Sequence, residues 1–140
     1  MNLQLSLKKT WWDMSDTPDS KTEDYREITP YWAYRLLNKQ DKHGFKIESI
    51  HFWIGFLSHS ENNKRVFKFR DQSKVDYVKE YYGFKDFKTN IMTLGYPKKD
   101  DTSRIKIFEH AGIEIRTGNH EWGAEPNKLY FVIKHGKRIQ

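Results

Sequence analysis

Two strand-like runs near the C-terminal end limit what this chain can fold into. Between Arg104 and Arg116, Ile105, Ile107, Ala111, Ile113 and Ile115 share one parity. Arg104, Lys106, His110, Glu114 and Arg116 share the other. A period of two is that of a half-buried strand, and Gly112 inside it predicts a bulge or bend. The run Leu129-Tyr130-Phe131-Val132-Ile133 is apolar on both faces and reads as a buried strand. The connection between them, residues 116–126, holds Gly118, Asn119, Gly123 and Pro126, all turn formers. A turn does not require Trp122 with Glu121 and Glu125 on either side. An aromatic plane beside hydrogen-bonding groups suits recognition of a flat polar ring. The same tryptophan also suits the plug of an open β-barrel end, and the two readings are compatible.

Upstream, Leu3, Leu5 and Leu7 alternate with Gln4, Ser6 and Lys8, again a half-buried strand. Thr10 is placed to cap a short helical turn over residues 11–14, with Asp13 in its first turn. Residues 17–20, Thr-Pro-Asp-Ser, break it. In residues 21–28, Thr22, Asp24, Arg26 and Ile28 alternate with Glu23, Tyr25 and Glu27. This predicts a short strand with Asp24 and Arg26 on one face. The favoured reading is a solvated edge strand with a surface ion pair. An inward charged face would be costly unless its charges pair or bind something.

Thr29-Pro30 is a helix start, with Thr as N-cap and Pro in the first turn. The helix is predicted over 30–39, with Trp32, Ala33, Leu36 and Leu37 as its apolar stripe. Residues 45–54 read as a strand, 58–64 as a polar turn and 66–70 as the returning hairpin partner. A helix over 74–82 is closed by Gly83. Residues 87–94 form another strand, and 95–101 a charged loop. His135-Gly136 is expected to turn the chain out. The sum is an α+β domain with a curled sheet or small barrel and two or three flanking helices.

At 140 residues the chain is read as a single domain, large enough for a real core. Aromatics make up 16% of it, which argues against disorder. There is no cysteine, hence no disulfide, zinc-thiolate site or cysteine nucleophile. The six histidines are scattered singly, and no metal site or cofactor is implied. No apolar run reaches membrane length and the first residues lack a signal-peptide core, so a cytoplasmic protein with no membrane partner is expected. Residues 1–60 hold eight Lys/Arg against eight Asp/Glu, and residues 61–140 seventeen against eleven, so the later part carries the whole +6. Basic charge interleaved with aromatics suits a polyanion such as nucleic acid, although many small basic proteins have no such partner.

Four motifs in order carry a family resemblance. They are Lys-Thr-Glu-Asp-Tyr-Arg-Glu-Ile at 21–28, Pro-Tyr-Trp at 30–32, Leu-Gly-Tyr-Pro-Lys-Lys-Asp-Asp at 94–101 and Gly-Asn-His-Glu-Trp-Gly-Ala-Glu-Pro at 118–126. Together they resemble the ASCH domain family, in its small stand-alone bacterial and phage form. The resemblance covers residues 1–39 and about 85–138, and residues at about 40–85 look like an insertion. It implies a PUA-like fold, a small β-barrel with helices packed around it. It also implies a cleft between the Lys21–Arg26 segment and the 116–126 loop, and binding of RNA or nucleotides. Some family members hydrolyse acetylated cytidine and others are ribonucleases. Lys21 matches the motif lysine and Arg26 the motif arginine. The motif glycine would fall at Asp19, with Ser20 between, so the chain departs there. Asp24 stands where the amidohydrolase members carry a threonine nucleophile, which argues against that route. Thr22 is close but out of register.

Two functional expectations follow. The first is a binding module for RNA, DNA or a nucleotide, with Lys21, Arg26, Arg116, Asn119, Glu121 and Trp122 at the ligand. Lys98, Lys99, Arg104 and Lys106, with Arg116, would form an electrostatic track. The second is a hydrolase of a modified nucleoside or of RNA, with Lys21, Asp24 and Glu121 as catalytic residues. Glu114 is a further candidate acid or base, and His110 or His120 a candidate in a metal-free ribonuclease. A third class places a protein contact or self-association surface on the aromatic-rich 40–85 insertion, which otherwise enlarges the core.

Overall fold

The computed structural model describes residues 1–15, 21–38, 59–61, 64–66, 83–98 and 100–140. Seven strands and two helices are present among them: β1 (Asn2–Leu7), α1 (Lys9–Met14), β2 (Glu23–Arg26), α2 (Pro30–Leu36), β3 (His59–Glu61), β4 (Lys64–Val66), β5 (Thr89–Leu94), β6 (Ile105–Thr117) and β7 (Leu129–Arg138). The fold is a small mixed α+β one. Five strands form one sheet in the order β1-β5-β6-β7-β2, and β3 and β4 form a separate two-stranded sheet. The predicted strands at 45–54 and 66–70 and the predicted helix at 74–82 lie largely or wholly outside the described residues. The stretch 58–64, expected as a turn, carries ladder pairing itself, His59 with Val66 and Glu61 with Lys64. No helix among the described residues is long and apolar enough to cross a membrane.

The chain divides into two compact units. Unit 1 comprises Met1–Asp24, Asp86–Gly112 and Ile133–Gln140, and unit 2 comprises Tyr25–Lys85 and Ile113–Val132.

In unit 1, β1 runs parallel to β5, with Asn2 opposite Thr89 and Leu7 opposite Leu94. The alternation read from the sequence holds here: Leu3, Leu5 and Leu7 are buried and Gln4 is exposed. β5 pairs antiparallel with β6, Thr89 opposite Glu109 and Thr93 opposite Ile105. Helix α1 begins one residue before the expected cap. Lys8 is its N-cap, without a side-chain cap, and Trp12 is its buried residue.

The single parity expected for β6 fails in its first half. Lys106 and Phe108 are the buried positions there, whereas Ile113 and Ile115 are buried after Gly112. Gly112 has φ 112, so the phase changes around a residue whose backbone favours glycine. Strand β7 also departs from expectation. It does not turn out at His135 but runs on to Arg138, and the His135 side chain is buried.

In unit 2, Thr29 caps α2, its hydroxyl accepting from the Trp32 N–H at 3.3 Å. Ala33, Leu36 and Leu37 are buried, as their spacing predicts. The helix ends at Leu36, earlier than expected. Leu129, Tyr130, Phe131 and Val132 are all buried, in keeping with a run that is apolar on both faces.

Candidate functional site

Unit 1 holds a chain of buried polar side chains. Lys21 Nζ donates to Asp24 Oδ1 at 2.6 Å. Asp24 Oδ2 bonds His135 Nε2 at 2.5 Å. His135 Nδ1 meets Asn90 Nδ2 at 2.7 Å, and Asn90 Oδ1 meets His110 Nδ1 at 2.7 Å. Lys21, Asp24, Asn90 and His135 are buried, while His110 is half-buried. Asp24 is therefore not part of a solvated edge with a surface ion pair. The strand carries its charge inward because a lysine and a histidine of the same unit satisfy it.

The donor and acceptor roles follow from one carbonyl. Asn90 Nδ2 also donates to the Lys134 carbonyl at 3.1 Å, and a carbonyl oxygen only accepts. This fixes the orientation of the amide. Its second N–H then goes to His135 Nδ1, so that nitrogen is an acceptor and the proton sits on Nε2, donated to Asp24. The Asn90 oxygen must in turn accept, so His110 carries its proton on Nδ1. The Nε2 atom of His110 is left with the lone pair.

Electrostatics bear on Asp24 first. Burial alone pushes the Asp24 carboxyl up. The His135 hydrogen bond and the Lys21 ammonium outweigh it and hold Asp24 well below the usual carboxylate range. An anion held this firmly is a poor general base. Lys21, engaged as the cation of the pair with its ammonium 5.0 Å from the Trp11 ring centre, is a poor nucleophile. Burial lowers the His110 imidazole from its ordinary value, and the Asp86 carboxylate opposes it.

Lys106 is a second buried lysine of unit 1. Expected on a surface track, it instead donates to the Trp12 carbonyl at 2.9 Å and to Ser15 Oγ at 3.2 Å. The last carbonyls of a helix lack partners within it and sit at the negative end of its dipole, which is where a cation settles. Of the other track residues, Lys98 is exposed, and Arg104 is half-buried with its guanidinium on the Leu94 carbonyl at 2.6 Å. Lys99 lies outside the described residues.

Unit 2 holds the remaining sequence-predicted residues: Arg26, Arg116, Asn119, Glu121 and Trp122. Residues His120–Trp122 form a 3-10 turn closed by Gly123 at φ 98. The turn is pinned through its backbone. The Asn119 side chain accepts from the Glu121 N–H at 2.9 Å. The Tyr25 hydroxyl accepts from the Asn119 N–H at 2.8 Å, and the Tyr130 hydroxyl from the Glu125 N–H at 3.0 Å. Tyr25 and Tyr130 pack ring to ring at 5.7 Å beside Ala124. Gly118 lies so close to them that a Cβ there would come within 2.7 Å of Ala124 Cβ and of the Tyr25 ring. On this platform Trp122 is half-buried, and Asn119 and Glu121 are exposed.

Arg26 lies elsewhere in unit 2. Its guanidinium sits 4.9 Å from the Trp32 ring centre, and the Arg35 guanidinium sits 4.8 Å from it. Arg35 also donates to the exposed Tyr31 hydroxyl at 2.8 Å. Arg116 Nε is bound by Glu114 at 2.7 Å. Thus Tyr25, which no motif singled out, supports the loop, while its neighbour Arg26 stacks on α2. Strand alternation sends adjacent side chains to opposite faces.

Sequence reasoning missed His135, Asn90, Tyr25 and Tyr130. No spacing could have found the first two: Asn90 is 45 residues and Asp24 is 111 residues from His135. Among the described residues no group of three His, Asp or Glu is placed to hold a metal ion. Comparison with protein-family models, with curated proteins and with solved structures finds no match, so the reading of the chain rests on its own residues.

Proposed function

We propose that the chain is a PUA-like binding module of the ASCH type that takes nucleic acid or a nucleotide, with its ligand-contacting groups on unit 2. The observation that carries this reading is the pinned turn around Trp122. Two tyrosine hydroxyls and an asparagine side chain hold its backbone N–H groups. A ring presented on such a turn is ordered before the ligand arrives, which lowers the entropic cost of binding. Asn119 and Glu121 supply polar edges beside it, and Arg116 a cation. The alternation of Arg26, Trp32, Arg35 and Tyr31 adds guanidinium and aromatic planes of the kind that hold bases and phosphates.

The test is a titration of nucleosides, modified nucleosides and short RNA or DNA, followed by thermal shift. The Trp122→Ala variant is run beside wild type. Stacking on Trp122 is worth about 1–3 kcal/mol per base, so the variant should bind roughly 5- to 150-fold more weakly. Equal affinity in wild type and variant would refute the reading.

The alternative is a hydrolase of a modified nucleoside or of RNA. It draws on the buried polar side chains of unit 1, which a binding platform on unit 2 does not require, although Lys21 and Asp24 neutralise each other and are poorly placed to act as nucleophile and base.

A further inference from the structure

The buried polar chain of unit 1 ends at one half-buried imidazole, and its direction is fixed. The Lys134 carbonyl orients the Asn90 amide, and the Asn90 oxygen holds the proton of His110 on Nδ1. Behind it stand His135, Asp24 and Lys21, all buried. A surface histidine needs no such backing. An imidazole with one nitrogen fixed as a donor and the other carrying its lone pair is the arrangement a general base requires. The Phe87 ring, 5.5 Å from the imidazole and edge-on, further restricts its rotation.

We propose that His110 is a catalytic general base and that Asn90 and His135 are its positioning residues. This inference is independent of the ligand-binding reading of unit 2. It moves any hydrolytic chemistry of unit 1 away from Lys21 and Asp24, whose charges are spent on each other. Among the described residues, the titratable groups next to His110 are Asp86, His135 and Lys88, whose carbonyl accepts the His110 backbone N–H at 3.0 Å. With one carboxylate and one lysine among these neighbours, nothing selects an anionic substrate, and the class assigned to the site is an uncharged ester or amide. In the reaction Nε2 takes a proton from water, and the water oxygen adds to the acyl carbon. The tetrahedral adduct then collapses with cleavage of the bond to the leaving group. The carboxylic acid product and the leaving group depart, and the imidazolium returns its proton to solvent or to the leaving group.

The probe is p-nitrophenyl acetate, hydrolysed by wild type, His110→Gln, Lys9→Ala and Asn90→Ala across a pH series. Lys9 is exposed and belongs to neither site, so its variant serves as the control. The expected result is a loss of roughly a hundredfold in His110→Gln, the low end of what a positioned base supplies, and no loss in Lys9→Ala. Asn90→Ala should reduce the rate and move the midpoint of the pH profile, which a purely structural role would not do. Nitrogen-15 NMR of wild type provides a readout that does not depend on any variant folding. His110 should be protonated on Nδ1 at neutral pH. A His110 protonated on Nε2, or a His110→Gln rate equal to that of wild type and Lys9→Ala, would overturn the proposal.

Discussion

Replacing Lys21 by methionine tests the energetics of unit 1 most directly. The substitution keeps the length of the aliphatic stem and removes the ammonium that lies 2.6 Å from Asp24. Both side chains are nearly inaccessible, at 4% and 3% exposure, so water cannot replace the lost partner. Breaking a buried pair from one side costs about 3–5 kcal/mol, against about 0–1 kcal/mol for an exposed one. Asp24 keeps its bond to His135, which places the expected cost near the lower bound, about 3 kcal/mol. With a urea dependence of about 2 kcal/mol per molar, the midpoint should fall by about 1.5 M. The assay is urea unfolding at neutral pH, followed through the intrinsic fluorescence of the five tryptophans, Trp11 and Trp12 of unit 1 among them. In an Asp24→Asn background there is no charge to strand, and the same substitution should cost about 1 kcal/mol or less.

The pH dependence has a definite sign. The folded carboxyl titrates below its unfolded value of 3.8, so its contribution is fully present above that value. It is lost as pH falls from there toward the folded value. In Lys21→Met the folded carboxyl titrates closer to its unfolded value, so less stability is lost across the acid limb than in wild type. A cost under about 1 kcal/mol, or an unchanged acid limb, would refute the claim that Lys21 and Asp24 form a buried pair.

Two further outcomes are expected. Gly118→Ala must displace Ala124 or the Tyr25 ring, since its Cβ would sit 2.7 Å from each; a cost of about 1–3 kcal/mol should appear in thermal unfolding together with weaker ligand binding at Trp122. Lys9→Ala removes an exposed (i, i+4) pair with Asp13 and should change stability by less than about 0.5 kcal/mol in the same urea assay.

What the sequence made legible were the features that depend on near neighbours. The leucine alternation of β1, the Thr29 cap of α2 and the apolar run of β7 are each set by residues within a few positions of one another, and all three are present. The site was legible in part. Lys21 and Asp24 stood out, and the turn around Trp122 could be placed between two strands. The burial of Asp24 could not be read, because its second partner arrives from β7 and not from its own segment. Lys106 misled for a related reason. Its charge implied solvent, yet the end of α1 offers the Trp12 carbonyl and the Ser15 hydroxyl to an inward cation. The parity of β6 changed at Gly112, and alternation read across such a residue assigns one half of the strand to the wrong side.

The discontinuity of unit 1 bears on how the protein is made. Its three segments are separated by those of unit 2, and the Ile107 backbone is bonded by the last two residues, Ile139 and Gln140. A ribosome releases Asp24 early and His135 only 111 residues later. Over that interval Asp24 does not have its His135 partner, and β1 likewise waits for β5. Pairings of such long sequence separation are slow to form. Unit 1 is thus expected to close only once β7 has emerged, and a nascent chain stalled before β7 should leave its N-terminal strand open to proteases.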